Sequence, residues 1–242
     1  MFEKNYRVPY YGLDENERMK PGILLDIFQE TAALHADAVC IGVGDMMRRG
    51  LTWVLRRYRV DFHGYHGKGE LTVRTWFEPR RNLMSVRKFE AESPSGETVA
   101  SAWSAWIVVD LESGRPVRLD RALPDAYFAV SEPTGEPVEE VIPAISGDCD
   151  FEREFSVRRS ELDLNGHTNH TVYFDWALES VPDALITGLS PTRLDAEFLV
   201  SVKREEVTAR VKTIGRNPLR FAHSILSKAA GAEAARLSTV WV

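Results

Sequence analysis

Phe2-Glu3-Lys4-Asn5-Tyr6-Arg7-Val8 returns later in the chain as Phe151-Glu152-Arg153-Glu154-Phe155-Ser156-Val157. The offset is 151 − 2 = 149, and it also lays Leu13-Asp14 on Leu162-Asp163, Asn16 on Asn165, Asp26 on Asp175 and Glu30 on Glu179. Toward the end of each half the offset falls to 231 − 96 = 135, and there Gly96, Ala100 and Trp106 match Gly231, Ala235 and Trp241. Colinear matches at a long, nearly fixed period mark a duplicated unit. The second copy is shorter between its helix and its last strand. Three segments follow: residues 1–125, a connecting stretch 126–150, and residues 151–242.

Both halves read as one strand, one helix and then a run of strands. In the first, Phe2–Pro9 predicts a strand, and Lys20-Pro21-Gly22 opens a helix with proline in its first turn, where no backbone N–H is needed. Ile23, Leu24, Ile27, Phe28, Thr31 and Leu34 then recur at helical spacing, giving that helix one broad apolar face. Leu51–Phe62, Glu70–Phe77, Met84–Glu92 and Thr98–Asp110 read as strands. They are separated by Gly64-Tyr65-His66-Gly67, Pro79-Arg80-Arg81-Asn82 and Pro94-Ser95-Gly96. In the second half Phe151–Val157 is a strand and His170–Ser180 a helix stopped near Pro182. Leu194–Val202, Glu206–Ile214, Leu219–Ala229 and Glu233–Val242 complete the strands. One helix followed by antiparallel strands is an α+β order, with the sheet wrapping the helix. Between the halves, Pro124, Pro133, Pro137 and Pro143 with Glu132, Gly135, Glu136, Glu139 and Glu140 read as an acidic linker.

Composition narrows the function. Of 242 residues, 44% are apolar and 27% charged, ordinary for a globular, soluble chain. Lys+Arg is 30 against Asp+Glu 36, so a net charge of −6 disfavours nucleic acid as a partner. Trp103 to Val109 is far too short an apolar run to span a bilayer. The first residues carry no apolar core of a signal peptide, and Cys40 and Cys149 read as reduced thiols of a cytoplasmic protein.

The densest polar cluster is Asp163-Leu164-Asn165-Gly166-His167-Thr168-Asn169-His170. If extended, this segment turns Asp163, Asn165 and His167 to one face. A carboxylate, an amide and an imidazole there could orient a base, donate to an oxyanion and take a proton. The following helix start adds positive potential. The same residues are also ordinary turn and capping residues. The first half keeps Asp14 and Asn16 but has Arg18 where His167 stands.

Asp163-x-Asn165-x-His167-x-Asn169-x-x-x-Tyr173-x-x-Trp176-x-x-Glu179 resembles the acyl-acyl-carrier-protein (acyl-ACP) thioesterases of plants and bacteria. Gln29-Glu30-x-Ala32-x-x-His35, Gly50-Leu51-Thr52-Trp53-Val54-Leu55, Thr75-Trp76 and Ser104-Ala105-Trp106-x-x-x-Asp110 extend the resemblance over nearly the whole chain. It implies a tandem hotdog, in which a long helix is wrapped by an antiparallel sheet, twice. It implies hydrolysis of a fatty acyl-ACP thioester, with Asp163, Asn165 and His167 catalytic in the second half and the first half forming the acyl pocket. One departure stands out. The family pattern Glu-Tyr/Phe-x-x-Glu is here Glu197-Phe198-Leu199-Val200-Ser201, so Ser201 occupies the second glutamate's place, with Glu205 and Glu206 as candidate substitutes. The rivals are an acyl-CoA thioesterase, a hotdog dehydratase and a non-catalytic acyl-binding protein. Two joined hotdogs imitate a hotdog dimer, so monomer and homodimer are both open.

Other features carry less. His63 and His66 read as a surface turn, Cys40 as a small core residue, and Asn169-His170-Thr171 as an irrelevant glycosylation match. Nothing calls for a metal or an organic cofactor. Arg48, Arg49, Arg56, Arg57 and Arg59 form a basic cluster, and Arg153, Arg158 and Arg159 lie beside the proposed site. The first set reads most simply as a solvated strand and loop face; both sets are also candidates for docking an acidic carrier protein or the phosphates of coenzyme A.

Overall fold

The computed structural model of the chain describes residues 1–78, 82–128 and 140–242. Most of the acidic stretch expected as a linker, including Pro133 and Pro137, lies outside these residues, as does Pro79-Arg80-Arg81 of one expected turn. The chain forms two compact units. The first holds Met1–Tyr58 and resumes at Phe62, and the second holds Arg59–Asp61 and the described residues from 140 onward.

In the first unit β1 (Phe2–Arg7) precedes α1 (Pro21–Ala38) and a short α2 (Val43–Arg48). Then come β2 (Leu51–Phe62), β3 (Glu70–Glu78), β4 (Met84–Glu92), β5 (Thr98–Asp110), β6 (Pro116–Val117), α3 (Leu119–Ala122) and α4 (Asp125–Phe128). The sheet runs β1-β3-β4-β5-β2, with β6 on β5. In the second unit β7 (Phe151–Ser156) precedes α5 (His170–Glu179) and α6 (Asp183–Ile186). Next are β8 (Pro191–Phe198), β9 (Glu206–Arg216), β10 (Leu219–Ser227) and β11 (Ala232–Trp241). Its order, β7-β9-β10-β11-β8, is that of the first unit strand for strand. The pairs β1–β3, β3–β4 and β4–β5 are antiparallel, as are β7–β9, β9–β10 and β10–β11. The duplication reaches single hydrogen bonds. Trp106 Nε1 donates to Ser104 Oγ at 2.8 Å, and Trp241 Nε1 donates to Thr239 Oγ1 at 2.9 Å.

Each helix buries its apolar stripe on the sheet of its own unit. Leu24, Leu25, Ile27, Phe28 and Thr31 of α1 are buried, and Phe28 stacks on Phe89 of β4 at 5.0 Å. A buried leucine or phenylalanine contributes roughly 1.5–3 kcal/mol, so this face holds the helix in place. Tyr173, Phe174, Trp176 and Ala177 do the same for α5. No helix among the described residues is long and apolar enough to cross a membrane.

Three expectations need correction. β8 was expected to run to Val202 but ends at Phe198, because the next two N–H groups, of Leu199 and Val200, both converge on the Ala234 carbonyl and break the ladder. Ser201 therefore lies in an exposed loop. Cys40 is exposed, not core. α1 ends at Ala38, and Cys40 takes a left-handed φ of 58° just past the apolar stripe. The basic cluster at 48–59 is not a free face. Arg48 pairs with Asp45, Arg49 donates to the Ala122 carbonyl, and Arg59 is buried against Asp195 with Nη2–Oδ2 at 2.6 Å.

The interiors hold neutral histidines. His35 stacks between Phe2 and Phe77 and accepts from Arg87 Nη1 through Nδ1 at 3.0 Å. Burial, then the Arg87 charge and the N-terminus, lower it from 6.5 to about 4. Burial alone lowers His223 to about 3. Both are harder to protonate in the folded chain, so the unfolded chain binds more protons as pH drops below 6.5. Their stabilising contribution is full above pH 6.5 and lost as pH falls through about 4 and 3. The melting temperature is expected to drop across that window, and less steeply in His223→Gln. An unchanged slope in scanning calorimetry would remove His223 from this account.

Candidate active site

Asp163, Asn165 and His167 stand on a tight turn, not on an extended segment. Leu162 and Thr168 bridge antiparallel, and the Asp163 N–H donates to the His167 carbonyl at 2.7 Å. The Asp163 Oδ1 accepts from the N–H groups of Asn165 at 2.8 Å and His167 at 3.0 Å. Gly166 takes φ +72°, a conformation that costs a glycine least. An aspartate followed two and four residues on by free N–H groups closes such a turn locally, and this outcompetes the extended form.

The first unit contains the same turn. Asp14 Oδ1 accepts from Asn16 N–H at 2.9 Å and Arg18 N–H at 2.8 Å, Leu13 and Met19 bridge, and Glu17 has φ 57°. Aspartate is thus a scaffold in both copies. What separates the copies is the side chain four residues on, Arg18 or His167.

Backbone hydrogen bonds stitch the second turn to its surroundings. Thr168 N–H donates to the Val202 carbonyl at 2.7 Å, and Asn169 N–H to the Glu161 carbonyl at 2.8 Å. Asn169 caps α5, its Oδ1 accepting from Thr171 N–H at 3.2 Å. The amide of the glycosylation match is therefore a helix cap. The buried Tyr173 hydroxyl accepts from Val202 N–H at 3.3 Å. Burial pushes it up to about 12, the Val202 N–H pulls it down, and the negative charges of Glu205 and Asp163 raise it further.

The polar atoms divide into committed and available. The Glu205 carboxylate accepts from Ser227 Oγ at 2.9 Å and Ala229 N–H at 2.7 Å, and Glu206 pairs with Lys228 at 2.9 Å. His170, next to the turn, is lowered to about 4 by burial and is neutral near pH 7. The side chains of Asn165 and His167 are partly exposed and make no hydrogen bond among the described residues. One imidazole and one amide are left for a ligand. Ser201 is exposed one residue before Val202, whose backbone holds the turn. Sequence reading missed the role of the 200–205 segment, since its contacts join positions more than twenty residues apart and leave no periodic signal. Arg153 is engaged too, donating to the Glu179 carbonyl at 2.6 Å.

This fold has solved counterparts. The acyl-ACP thioesterase of Bacteroides thetaiotaomicron superposes with a TM-score of 0.86 at 20% identity, covering 99% of this chain and 97% of that one. The 12:0-ACP thioesterase of Umbellularia californica gives 0.85 at 19% identity, covering 100% and 96%. Each unit is therefore a hotdog, and the class is that of double-hotdog proteins. The model of the acyl-ACP thioesterase N-terminal domain matches residues 1–127, and that of the C-terminal domain matches residues 146–242. The chain belongs to the acyl-ACP thioesterase family, a family of thioester hydrolases. Oleoyl-acyl carrier protein thioesterase 1 of Arabidopsis thaliana is 22% identical over 99% of this chain and 75% of its own length. Of further relatives the chain spans about half, 55% and 53% for two palmitoyl-acyl carrier protein thioesterases.

The duplicated turn supplies an internal control. Asp14→Ala and Asp163→Ala each remove two hydrogen bonds and should each cost roughly 1–3 kcal/mol of stability. Only Asp163→Ala is expected to lower kcat. Asp163→Asn keeps an acceptor oxygen and should retain most activity. Equal loss in Asp163→Asn and Asp163→Ala would instead assign the charge, not the turn, to Asp163.

Proposed function

We propose that this chain hydrolyses fatty acyl-ACP thioesters to free fatty acid and holo carrier protein, and that the turn at 163–167 is its catalytic site. The observation that carries the reading is the pair Asn165 and His167, both anchored by their N–H groups to Asp163 on one turn and both with uncommitted side-chain polar atoms. His167 takes a proton from water as the water oxygen attacks the thioester carbonyl. The Asn165 amide N–H donates to the oxyanion that forms. Asp163 acts as a positioning residue, holding both neighbours through their backbone N–H groups. When the tetrahedral intermediate collapses, the C–S bond breaks and the leaving thiolate takes the proton from His167. A thiolate leaves more easily than an amine, so this sparse set suffices. Ser201 is assigned no covalent step, as no sharp strand-to-helix turn presents it.

Residues 151–242 form the catalytic half in this reading, residues 126–150 connect, and residues 1–125 receive the acyl chain. Ile27 and Thr31 lie in the first unit's interior, where Arg87 donates to His35 and to Thr75 Oγ1 at 3.2 Å. These side chains bear on acyl length. With two hotdogs already joined, the reaction needs no second chain. A cytoplasmic setting fits the two free cysteines.

The test is thiol release from medium- and long-chain acyl-ACP and acyl-CoA. Turnover on acyl-ACP should fall by about 10²–10⁴ in His167→Ala, and wild-type turnover in that variant would remove His167 from the mechanism. Release from acyl-CoA alone would move the substrate class to coenzyme A. Ser201→Glu, which completes the Glu-Tyr/Phe-x-x-Glu pattern implied by the resemblance, should raise kcat; a decrease would show that this position does not serve the water.

A further inference from the structure

Four cations gather beside the candidate turn. β7 and β9 stay in register to Ser156 and Glu206, and Val157 N–H then donates to the Glu205 carbonyl at 2.9 Å. The next residue along each chain is Arg158 on one side and Arg204 on the other, with Arg159 and Lys203 following. All four are exposed. Arg158 has a carboxylate, Glu161, at 3.0 Å. Arg159, Lys203 and Arg204 have no hydrogen-bond or ion-pair partner among the described residues. Both segments are tied to the site through the Asn169–Glu161 and Thr168–Val202 backbone bonds. At the tip of the turn, Leu164 is 85% exposed.

Folding does not account for this arrangement. Like charges on adjoining backbone segments repel one another, and these, just past the ends of β7 and β9, occur in a chain of net charge −6. An exposed leucine on a polar catalytic turn gains nothing from burial in its own unit. An apolar contact beside a group of cations is the complement of an acidic protein surface that carries an apolar side chain. We propose that Arg158, Arg159, Lys203 and Arg204, with Leu164 on the adjoining turn, dock an acidic carrier protein and set its thioester over the 163–167 turn. This rests on the hydrolase reading above. The phosphates of coenzyme A would meet the cations but leave Leu164 uncovered, so the partner is the protein.

The test compares the wild type with Lys203→Glu/Arg204→Glu and with Arg159→Glu on one acyl chain carried by ACP, by coenzyme A and by pantetheine. At low ionic strength KM for acyl-ACP should rise about tenfold, a loss that added salt shrinks by weakening the wild type. Acyl-pantetheine kinetics should not change. Calorimetric affinity for holo carrier protein should fall in both variants and in Leu164→Ser. An equal loss on acyl-pantetheine, an equal KM rise on acyl-CoA, or unchanged affinity for the holo carrier would each overturn the proposal. If the wild type cleaves none of the three substrates, the hydrolase reading fails, and holo-carrier affinity still decides the docking surface.

Discussion

A helix with a single apolar face cannot remain exposed on that face, and both units follow from this constraint. α1 buries Leu24, Leu25, Ile27 and Phe28, and α5 buries Tyr173, Phe174, Trp176 and Ala177. A five-stranded antiparallel sheet can cover such a stripe while leaving its other face to alternate polar residues. The two units solve the problem with one strand order, β1-β3-β4-β5-β2 and β7-β9-β10-β11-β8. The helix start then determines where the preceding turn must close, and with it where the candidate site sits.

Duplication separates scaffold from chemistry. Asp14 and Asp163 make the same two bonds to the backbone N–H groups two and four residues on. Had Asp163 served chemistry alone, its partner in the first unit would have had no reason to keep the geometry. The difference lies in His167 against Arg18. An imidazole can exchange a proton near neutral pH, and a guanidinium cannot. One turn can therefore carry a reaction while its twin carries only structure.

Much of the fold was legible because its signals are local. The strands Leu51–Phe62, Met84–Glu92 and Thr98–Asp110 end where alternation and turn residues place them. Pro21 opens α1 as its missing N–H allows. The family, too, could be read from ordered motifs, and the domain models match both halves. Where the reading erred, a competing bond was decisive. The 163–167 segment is a turn because an aspartate carboxylate found two N–H groups within reach. β8 stops short because the Leu199 and Val200 N–H groups converge on one carbonyl, that of Ala234, and Val202 beyond them bonds to Thr168 and Tyr173.

The sequence by itself determined the periodicities, the repeat, the helix starts and the residue types of the candidate site, since each depends on neighbours within a few positions. Tertiary structure alone decided which polar atoms are spent and which are available. Arg59 is spent on Asp195, 136 positions away, and the Glu205 carboxylate on Ser227 and Ala229. Arg158 and Arg204 come together through the pairing of β7 with β9. Charge and hydrogen-bonding capacity are properties of a residue, but whether they are satisfied depends on what the fold brings within about 3 Å.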